Sequence, residues 1–189
     1  MGSKYTFSDN DHLYFVSFAV VDWVDVFTRK EYKNIIVNSL QFCQQNKGLE
    51  LYAWVIMTNH IHLIIGSATN ELSGIMRDMK KHTSLKLKDA MQSNPKESRK
   101  EWMIDLFRKA GKTNSNNDSF QFWQQDNHPI QLITPKFTHQ KLDYIHNNPV
   151  VADYVDKPEE YLYSSAREYY GTGKGFLDII LIDPLIVTY

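Results

Sequence analysis

The chain has 189 residues, of which 42% are hydrophobic and 23% charged, so its composition favours a folded protein over a disordered one. It has no apolar run of about 18 residues, which excludes a membrane-spanning helix. The first residues lack the apolar stretch of a secretory signal, and a cytoplasmic protein is expected. Cys43 is the only cysteine, which excludes internal disulfides and cysteine-based zinc sites. Its apolar helical surroundings predict a small core residue rather than a nucleophile.

The charge of the chain is unevenly distributed, although the net charge is only −1. Residues 74–112 carry 11 lysines and arginines against 5 acidic residues. This segment is either a solvated helix face followed by a charged loop, or a surface that holds a polyanion.

The first predicted elements are a strand and a helix. Residues 13–21 are rich in β-branched and aromatic side chains, which predicts a buried strand. The helix that follows is expected to have Thr28 as its N-cap, with Glu31 in the capping-box position, and to end at Gly48.

A hairpin and a second helix are predicted next. Residues 49–57 and 60–65 have the pattern of strands, and the short break between them predicts a hairpin. Residues 72–91 predict an amphipathic helix. Its inner side is expected to consist of Ile75, Met79, Leu85 and Leu87.

The second half of the chain opens with a polar insertion over residues 92–117, for which a loop is expected, with a short helix near residues 102–107. Residues 128–133 predict a fourth strand. A helix is then predicted over residues 136–148, because Pro149 should end it.

One more short helix is predicted over residues 158–170, and an apolar tail over residues 176–189. The order β-α-β-β-α-β predicts a single α+β domain spanning residues 1–189. Its antiparallel sheet is expected to have ferredoxin-like or RNA-recognition-like topology, with a tyrosine-bearing helix and the tail on the C-terminal side. The fold alone does not select a function.

Two histidines lie in the third predicted strand, at His60 and His62. Because side chains alternate along a strand, both imidazoles project from the same face. Such a pair can bind one divalent metal, whereas the alternative is a pair of ordinary half-buried histidines. The apolar flanks make an imidazole without a partner costly, which favours the first interpretation.

The last long predicted helix contains one phenol and two amides, at Tyr144, Asn147 and Asn148. Residues four apart lie on the same side of a helix, so Tyr144 and Asn148 share a stripe, and His146 is turned away from it. A phenol and an amide facing the two histidines would combine a metal site with a nucleophile. The alternative is a buried tyrosine with an asparagine that caps the helix before Pro149, and Asn147 is a competing candidate for the amide.

Both motifs are similar to those of a known group of enzymes. Residues 57–64 (MTNHIHLI) resemble the His-hydrophobic-His signature of the HUH endonuclease superfamily of single-strand DNA transposases and relaxases. Residues 143–150 (DYIHNNPV) resemble the tyrosine helix of its single-tyrosine branch, in particular that of the REP-associated tyrosine transposases. Residues 122–124 (FWQ) and 158–166 (PEEYLYSSA) add to the resemblance, which runs from about residue 14 to residue 170.

The resemblance implies a sequence- and structure-specific endonuclease and transposase acting on single-stranded DNA. It implies His60, His62 and Asn148 as ligands of Mg²⁺ or Mn²⁺, and Tyr144 as the nucleophile that forms a 5′-phosphotyrosine intermediate. The implied partner is DNA with hairpin-forming palindromic repeats, and both a monomer and a homodimer stay open.

The second predicted helix carries candidates for phosphate contacts, Arg77, Lys80 and Lys81, together with His82. A solvated basic face is the alternative for these residues. For the whole chain, the alternatives are a catalytically silent DNA- or RNA-binding regulator and a hydrolytic phosphodiesterase in which Tyr144 is structural.

Overall fold

The computed structural model describes residue 7 and residues 12–113, 119–125 and 129–183. Its sheet has four antiparallel strands in the order β2-β3-β1-β4. The strands are β1 (Tyr14–Ala19), β2 (Leu49–Ile56), β3 (His60–Ser67) and β4 (Ile130–Gln131). Because β3 lies between β1 and β2 and runs opposite to both, the connection from β1 to β2 is a split β-α-β unit. The predicted α+β fold class is confirmed.

Helices cover both faces of the sheet. One face carries α1 (Lys30–Lys47), α2 (Leu72–Ser93) and α3 (Lys100–Lys112), and the other carries α4 (Pro135–Val151). A short helix, α5 (Ala166–Tyr169), follows α4. None of the helices in the described ranges has both the length and the hydropathy needed to span a bilayer.

The alternation of side chains in β3 divides its residues between the two helix layers. Ile61, Leu63 and Ile65 belong to the core under α1 and α2, whereas Ile64 packs in the smaller cluster under α4. His60 and His62 have the same parity as Ile64, so their side chains project toward the α4 layer. The predicted common face of the two histidines therefore lies against α4.

Strand β2 contains a β-bulge that the sequence pattern did not predict. Leu51 pairs with Ile65 and Ala53 pairs with Ile64, so the residue between them, Tyr52, is the extra one. The extra residue reverses the alternation, because Leu51 and Trp54 then both face the α1 layer. The backbone N–H of Ile180 donates to the Leu51 carbonyl at 2.9 Å, which attaches the C-terminal tail beside this bulge.

The start of α1 differs from the prediction. Arg29 occupies the N-cap position, and Thr28 is the last residue of a preceding 3-10 turn. The Thr28 hydroxyl accepts a hydrogen bond from the Arg99 guanidinium at 3.2 Å, so it does not cap α1. The predicted end is confirmed: Gly48 takes a left-handed conformation, φ 71°, and donates to the Cys43 carbonyl. Cys43 itself is buried in the core, as expected.

Helix α2 has the predicted inner face with one exception. Ile75, Met79 and Leu87 are buried, but Leu85 is 53% exposed. Positions 85 and 87 are two residues apart, and such residues lie on nearly opposite sides of a helix. Thr83 takes the inner position instead, which preserves a spacing of four from Met79 to Leu87.

The polar insertion contains a full helix rather than mainly a loop. The short helix predicted near residues 102–107 extends over Lys100–Lys112. Its residues Met103, Ile104 and Phe107 join the main core, which explains why this segment folds despite its many charges. Residues 114–118 lie outside the described part of the chain.

Helix α4 continues past Pro149 to Val151, contrary to the prediction that the proline would end it. Proline has a φ compatible with a helix and removes only one N–H donor, so burial of its ring can keep the helix intact. Pro149 is buried, and its carbonyl accepts from the N–H of Tyr154 at 2.9 Å.

Two predicted elements are shorter than expected. The fourth strand has only Ile130 and Gln131, and position 128 lies outside the described residues. The helix predicted over residues 158–170 is divided into the 3-10 turn Pro158–Glu160 and α5. Between them Ser164 forms a β-bridge with Val55, which requires an extended backbone. Residues 184–189 of the predicted tail are outside the described ranges.

Candidate active site

The two histidines of β3 form one cluster on the α4 side of the sheet. The ring centroids of His60 and His62 are 4.8 Å apart. His62 is buried, stacks on Phe15 at 5.3 Å between centroids, and has its Nδ1 2.6 Å from the Ser17 hydroxyl. With Nδ1 engaged by Ser17, the other ring nitrogen, Nε2, is buried without a hydrogen-bond partner among the described residues.

Both rings are uncharged at neutral pH. Burial, together with the smaller electrostatic effects of His60 and Lys141, lowers the pKa of His62 to about 3. Burial also lowers the pKa of His60, opposed by a hydrogen bond that the protonated ring can donate to the Asn148 amide oxygen and by the charge of Asp25. The neutral imidazole is the form that binds a metal ion.

Helix α4 brings the phenol and one amide to this cluster. The ring centroid of Tyr144 is 5.1 Å from that of His62, and Tyr144 is 49% exposed. One turn later, the Asn148 amide lies within hydrogen-bonding reach of the His60 ring. The Lys141 ammonium lies 5.6 Å from the centre of the Tyr144 ring. The four site residues named from the sequence are therefore neighbours in one chain.

The neighbours of Tyr144 on α4 do not reach this site. Asn147 is exposed and donates to the Asp143 carbonyl of its own helix at 3.0 Å. His146 is buried on the other side, with Nε2 3.0 Å from the Ser165 hydroxyl. Of the two competing amides, only Asn148 contacts a histidine of the cluster.

The donors in this cluster suit a divalent cation. A buried imidazole nitrogen without a hydrogen-bond partner, a second neutral imidazole and an amide oxygen offer three ligands and leave room for water or phosphate oxygens. No group of three or more His, Cys, Asp or Glu side chains in the described ranges could hold a metal ion. A metal at this position would therefore depend on the amide of Asn148 as its third protein ligand.

Comparison with known proteins gives the family. A family model described as "Transposase IS200 like" matches residues 12–110, just over half of the chain. The chain belongs to this transposase family. The transposase is thus a DNA-processing protein, and the matched residues include both histidines but end before α4.

Comparison of structures supports the same fold over the full length. A solved REP-associated tyrosine transposase bound to a REP hairpin has a TM-score of 0.63 and 14% sequence identity, and the match covers 100% of this chain and 98% of that one. The fold predicted from the family resemblance is confirmed by this likeness. No curated protein sequence matches the transposase significantly.

The basic residues named from the sequence lie on α2, across the sheet from the histidines. Arg77 forms a salt bridge with Asp78 at 3.1 Å. Lys80 donates to the Gln124 carbonyl at 3.2 Å, which gives it a structural contact, whereas Lys81 is exposed. DNA that reached both these residues and the histidine cluster would have to pass around the edge of the sheet.

Asn59 and Trp23 are among the residues around the histidines that the sequence reasoning missed. The Asn59 amide oxygen accepts a hydrogen bond from His60 Nδ1 at 2.7 Å, and its amide nitrogen donates to the Trp23 carbonyl at 3.2 Å and to Asp25 at 3.0 Å. Trp23 is 58% exposed and lies edge-on to His60, with 5.9 Å between ring centroids. Asn59 was inside the recognised motif, but no pattern in the sequence pointed to Trp23.

The other segments of the family resemblance are structural. Phe122 and Trp123 are buried in the main core, and the Trp123 indole donates to Thr83 at 3.0 Å. Ser165 is fully buried and accepts from the backbone N–H of Trp54 at 3.0 Å. These residues support the sheet and α4 rather than the surface of the site.

Proposed function

We propose that this transposase cleaves and rejoins single-stranded DNA through a 5′-phosphotyrosine intermediate on Tyr144, with a divalent metal held by His60, His62 and Asn148. The observation that carries the proposal is the 5.1 Å separation between the rings of Tyr144 and His62. An exposed phenol beside two neutral imidazoles and an amide is the set of groups this chemistry requires.

The ligand residues have distinct tasks in this proposal. Ser17 and Asn59 each hold the Nδ1 of one histidine, which orients the rings and leaves the other nitrogen for the cation. When bound, Mg²⁺ or Mn²⁺ would polarise the scissile phosphate and screen its negative charge. Imidazole ligands suit Mn²⁺ well, and Mg²⁺ prefers harder oxygen ligands, so activity with either ion is expected.

The strand-transfer step exchanges one phosphodiester bond for another. The phenol of Tyr144 gives up its proton to solvent as its oxygen attacks the phosphorus, the bond from phosphorus to the 3′ oxygen breaks, and the departing 3′ oxygen takes a proton from solvent. Attack by another 3′-hydroxyl reverses the step and rejoins a strand without an external energy source.

The proposed substrate is DNA with hairpin-forming palindromic repeats. Its support is the family and the fold shared with a transposase that was solved with a REP hairpin. Exposed Lys81 and Arg77 on α2 are proposed to contact its phosphates.

Covalent trapping tests the proposal. The DNA is a hairpin oligonucleotide with a randomised single-stranded flank, labelled at its 3′ end, because the fragment downstream of the nick carries the phosphotyrosine. With Mg²⁺ or Mn²⁺, wild-type protein should form an adduct that survives denaturing electrophoresis. Tyr144→Phe should form none while binding the DNA with unchanged affinity.

Tyr170→Phe is the matched control, since Tyr170 is 52% exposed and lies outside the histidine cluster. It should form the adduct at the wild-type rate. Cleavage without an adduct would replace the proposal with a hydrolytic phosphodiesterase. Hairpin binding without any cleavage would favour a catalytically silent regulator.

A further inference from the structure

Trp23 is a large apolar side chain that remains 58% exposed beside the histidine cluster. Its ring meets His60 in a T-shaped contact, with an interplanar angle of 74°, so the two rings are not stacked face to face. Single exposed aromatic side chains are common on protein surfaces, so the exposure of Trp23 is informative only because the ring lies beside the histidine cluster.

The backbone holds Trp23 outward in a conformation that non-glycine residues rarely adopt. Asp22 and Trp23 both lie in the left-handed region, with φ of 53° and 55°. The turn is fixed on both sides, because the N–H of Val21 donates to the Phe122 carbonyl at 2.9 Å and Asn59 donates to the Trp23 carbonyl at 3.2 Å. Asn59 contacts His60 as well, so one side chain sets the positions of both rings.

The charges around Trp23 indicate which part of a nucleotide it would contact. Asp22 and Asp25 are exposed acidic residues on the same turn, and they would repel a phosphate. An uncharged base has no such penalty and can stack on the indole face. Stacking on exposed aromatic rings is the usual way in which proteins hold unpaired bases.

We infer that Trp23 is a stacking platform for one unpaired base of the DNA strand next to the cleaved bond. The inference rests on the proposed function for its substrate, single-stranded DNA, and adds the residue that positions a nucleotide at the His60 end of the site. Stacking tolerates any base, so Trp23 would fix the position of the strand more than its sequence.

The four tryptophans of the chain allow a direct optical test. Trp54 and Trp123 are buried, whereas Trp23 and Trp102 are exposed, and Trp102 lies on α3, away from the histidines. In a Trp102→Phe background, a hairpin with an oligo-dT flank should quench tryptophan fluorescence in the presence of a chelator. In a Trp23→Phe background the quenching should be lost.

Affinity provides a second measurement. Trp23→Ala should weaken binding of the same labelled hairpin by roughly 5- to 100-fold, the value expected for one stacked base. Trp102→Ala is the matched control and should bind like the wild type. The bases of the flank can also be replaced one at a time with abasic sites. At one position, the abasic DNA should bind wild type and Trp23→Ala with the same affinity, because the base that stacks on Trp23 is missing.

These results are independent of covalent chemistry, because the chelator prevents metal binding. Wild-type affinity of Trp23→Ala, or equal quenching in the two backgrounds, would overturn the stacking role while leaving the adduct assay to judge strand transfer. If Trp23→Ala weakened DNA binding but the wild type formed no covalent adduct, the stacking role of Trp23 would stand and the proposed strand-transfer activity would be rejected. If Trp23→Ala did not fold, the quenching comparison between the two phenylalanine variants would decide.

Discussion

His62 and His146 are both buried histidines, but their surroundings give them different roles. His62 lies beside Tyr144 with one ring nitrogen lacking a hydrogen-bond partner among the described residues. His146 lies on the far side of α4, where Ser165 is 3.0 Å from its Nε2 and Tyr169 packs on its ring at 4.9 Å. The contacts of His62 are those of a candidate metal ligand, whereas the contacts of His146 are those of a structural residue. Both histidines nevertheless occur in motifs that resemble those of the family.

The first prediction concerns His146 and acid stability. Burial lowers its pKa to about 4, from an ordinary value of 6.5. Below pH 6.5 the unfolded chain takes up a proton that the folded protein accepts only near pH 4, so the free energy of unfolding falls over this range. The loss from this residue should reach about 2–3 kcal/mol. His146→Gln should remove that part of the pH dependence in urea unfolding followed from pH 7 to pH 4.

The control is His82→Gln, because His82 is exposed on α2. It should leave the slope of stability against pH unchanged. Equal slopes for wild type and His146→Gln would mean that the pKa of His146 is the same in the folded and the unfolded chain.

Glu97, in the connection between α2 and α3, links this connection to the turn that precedes α1. Its carboxylate is fully buried and accepts from the guanidinium groups of Arg29 and Arg99, both at 2.9 Å. Arg99 also donates to the Asp25 carbonyl at 2.8 Å and so holds the segment that follows Trp23. The segment that the sequence presented as a polar insertion thus supports the candidate site through one buried ion cluster.

The second prediction is that Glu97→Gln destabilises the fold. Hydrogen bonds from Arg99 and Arg29 lower the pKa of Glu97 to about 2, although burial opposes them. Its contribution is fully present above the ordinary pKa of 4.5 and is lost as pH falls toward 2. At pH 7 the variant should lose about 2–3 kcal/mol of unfolding free energy, because two partly exposed guanidinium groups lose a buried partner.

Asp105→Asn tests whether any broken ion pair has this effect. Asp105 pairs with Lys109 at 2.8 Å on the exposed surface of α3, where an ion pair contributes little. Its unfolding free energy should be indistinguishable from that of the wild type. A similar loss of unfolding free energy in Glu97→Gln and Asp105→Asn would show that the buried Glu97 cluster stabilises the fold no more than an exposed ion pair does.

At the scale of the whole molecule, Tyr144 faces the histidines of its own chain. The β4 to α4 connection is short, since β4 ends at Gln131 and α4 begins at Pro135. Leu142 and Ile145 of α4 pack in the cluster with Phe15 and Ile64 of the sheet, which fixes the helix against the site. This packing favours a nucleophile that acts in the same subunit as the metal ligands.

The third prediction follows from that arrangement. A mixture of Tyr144→Phe and His60→Ala proteins should form no covalent adduct, because each complete site requires both residues from one chain. In a dimer that exchanges α4, one of the two sites of each heterodimer would combine His60 from one subunit with Tyr144 from the other, and the adduct would appear. Recovery of adduct in the mixture, measured with the 3′-labelled hairpin, would contradict action within one subunit.

Local pattern was sufficient for most of the fold. Strand alternation put His60 and His62 on one face, and the spacing of four in a helix paired Tyr144 with Asn148, because both periodicities are properties of the backbone alone. The pattern did not give the bulge at Tyr52 or the continuation of α4 through Pro149, since both depend on what packs against those residues.

The sequence by itself determined the α+β fold class and, by resemblance to a family, the four residues proposed for catalysis. Only the tertiary structure decided that Asn148 rather than Asn147 meets a histidine, and that Trp23 stands beside them. Contacts between residues far apart in the chain depend on how elements pack, and no local periodicity records that packing.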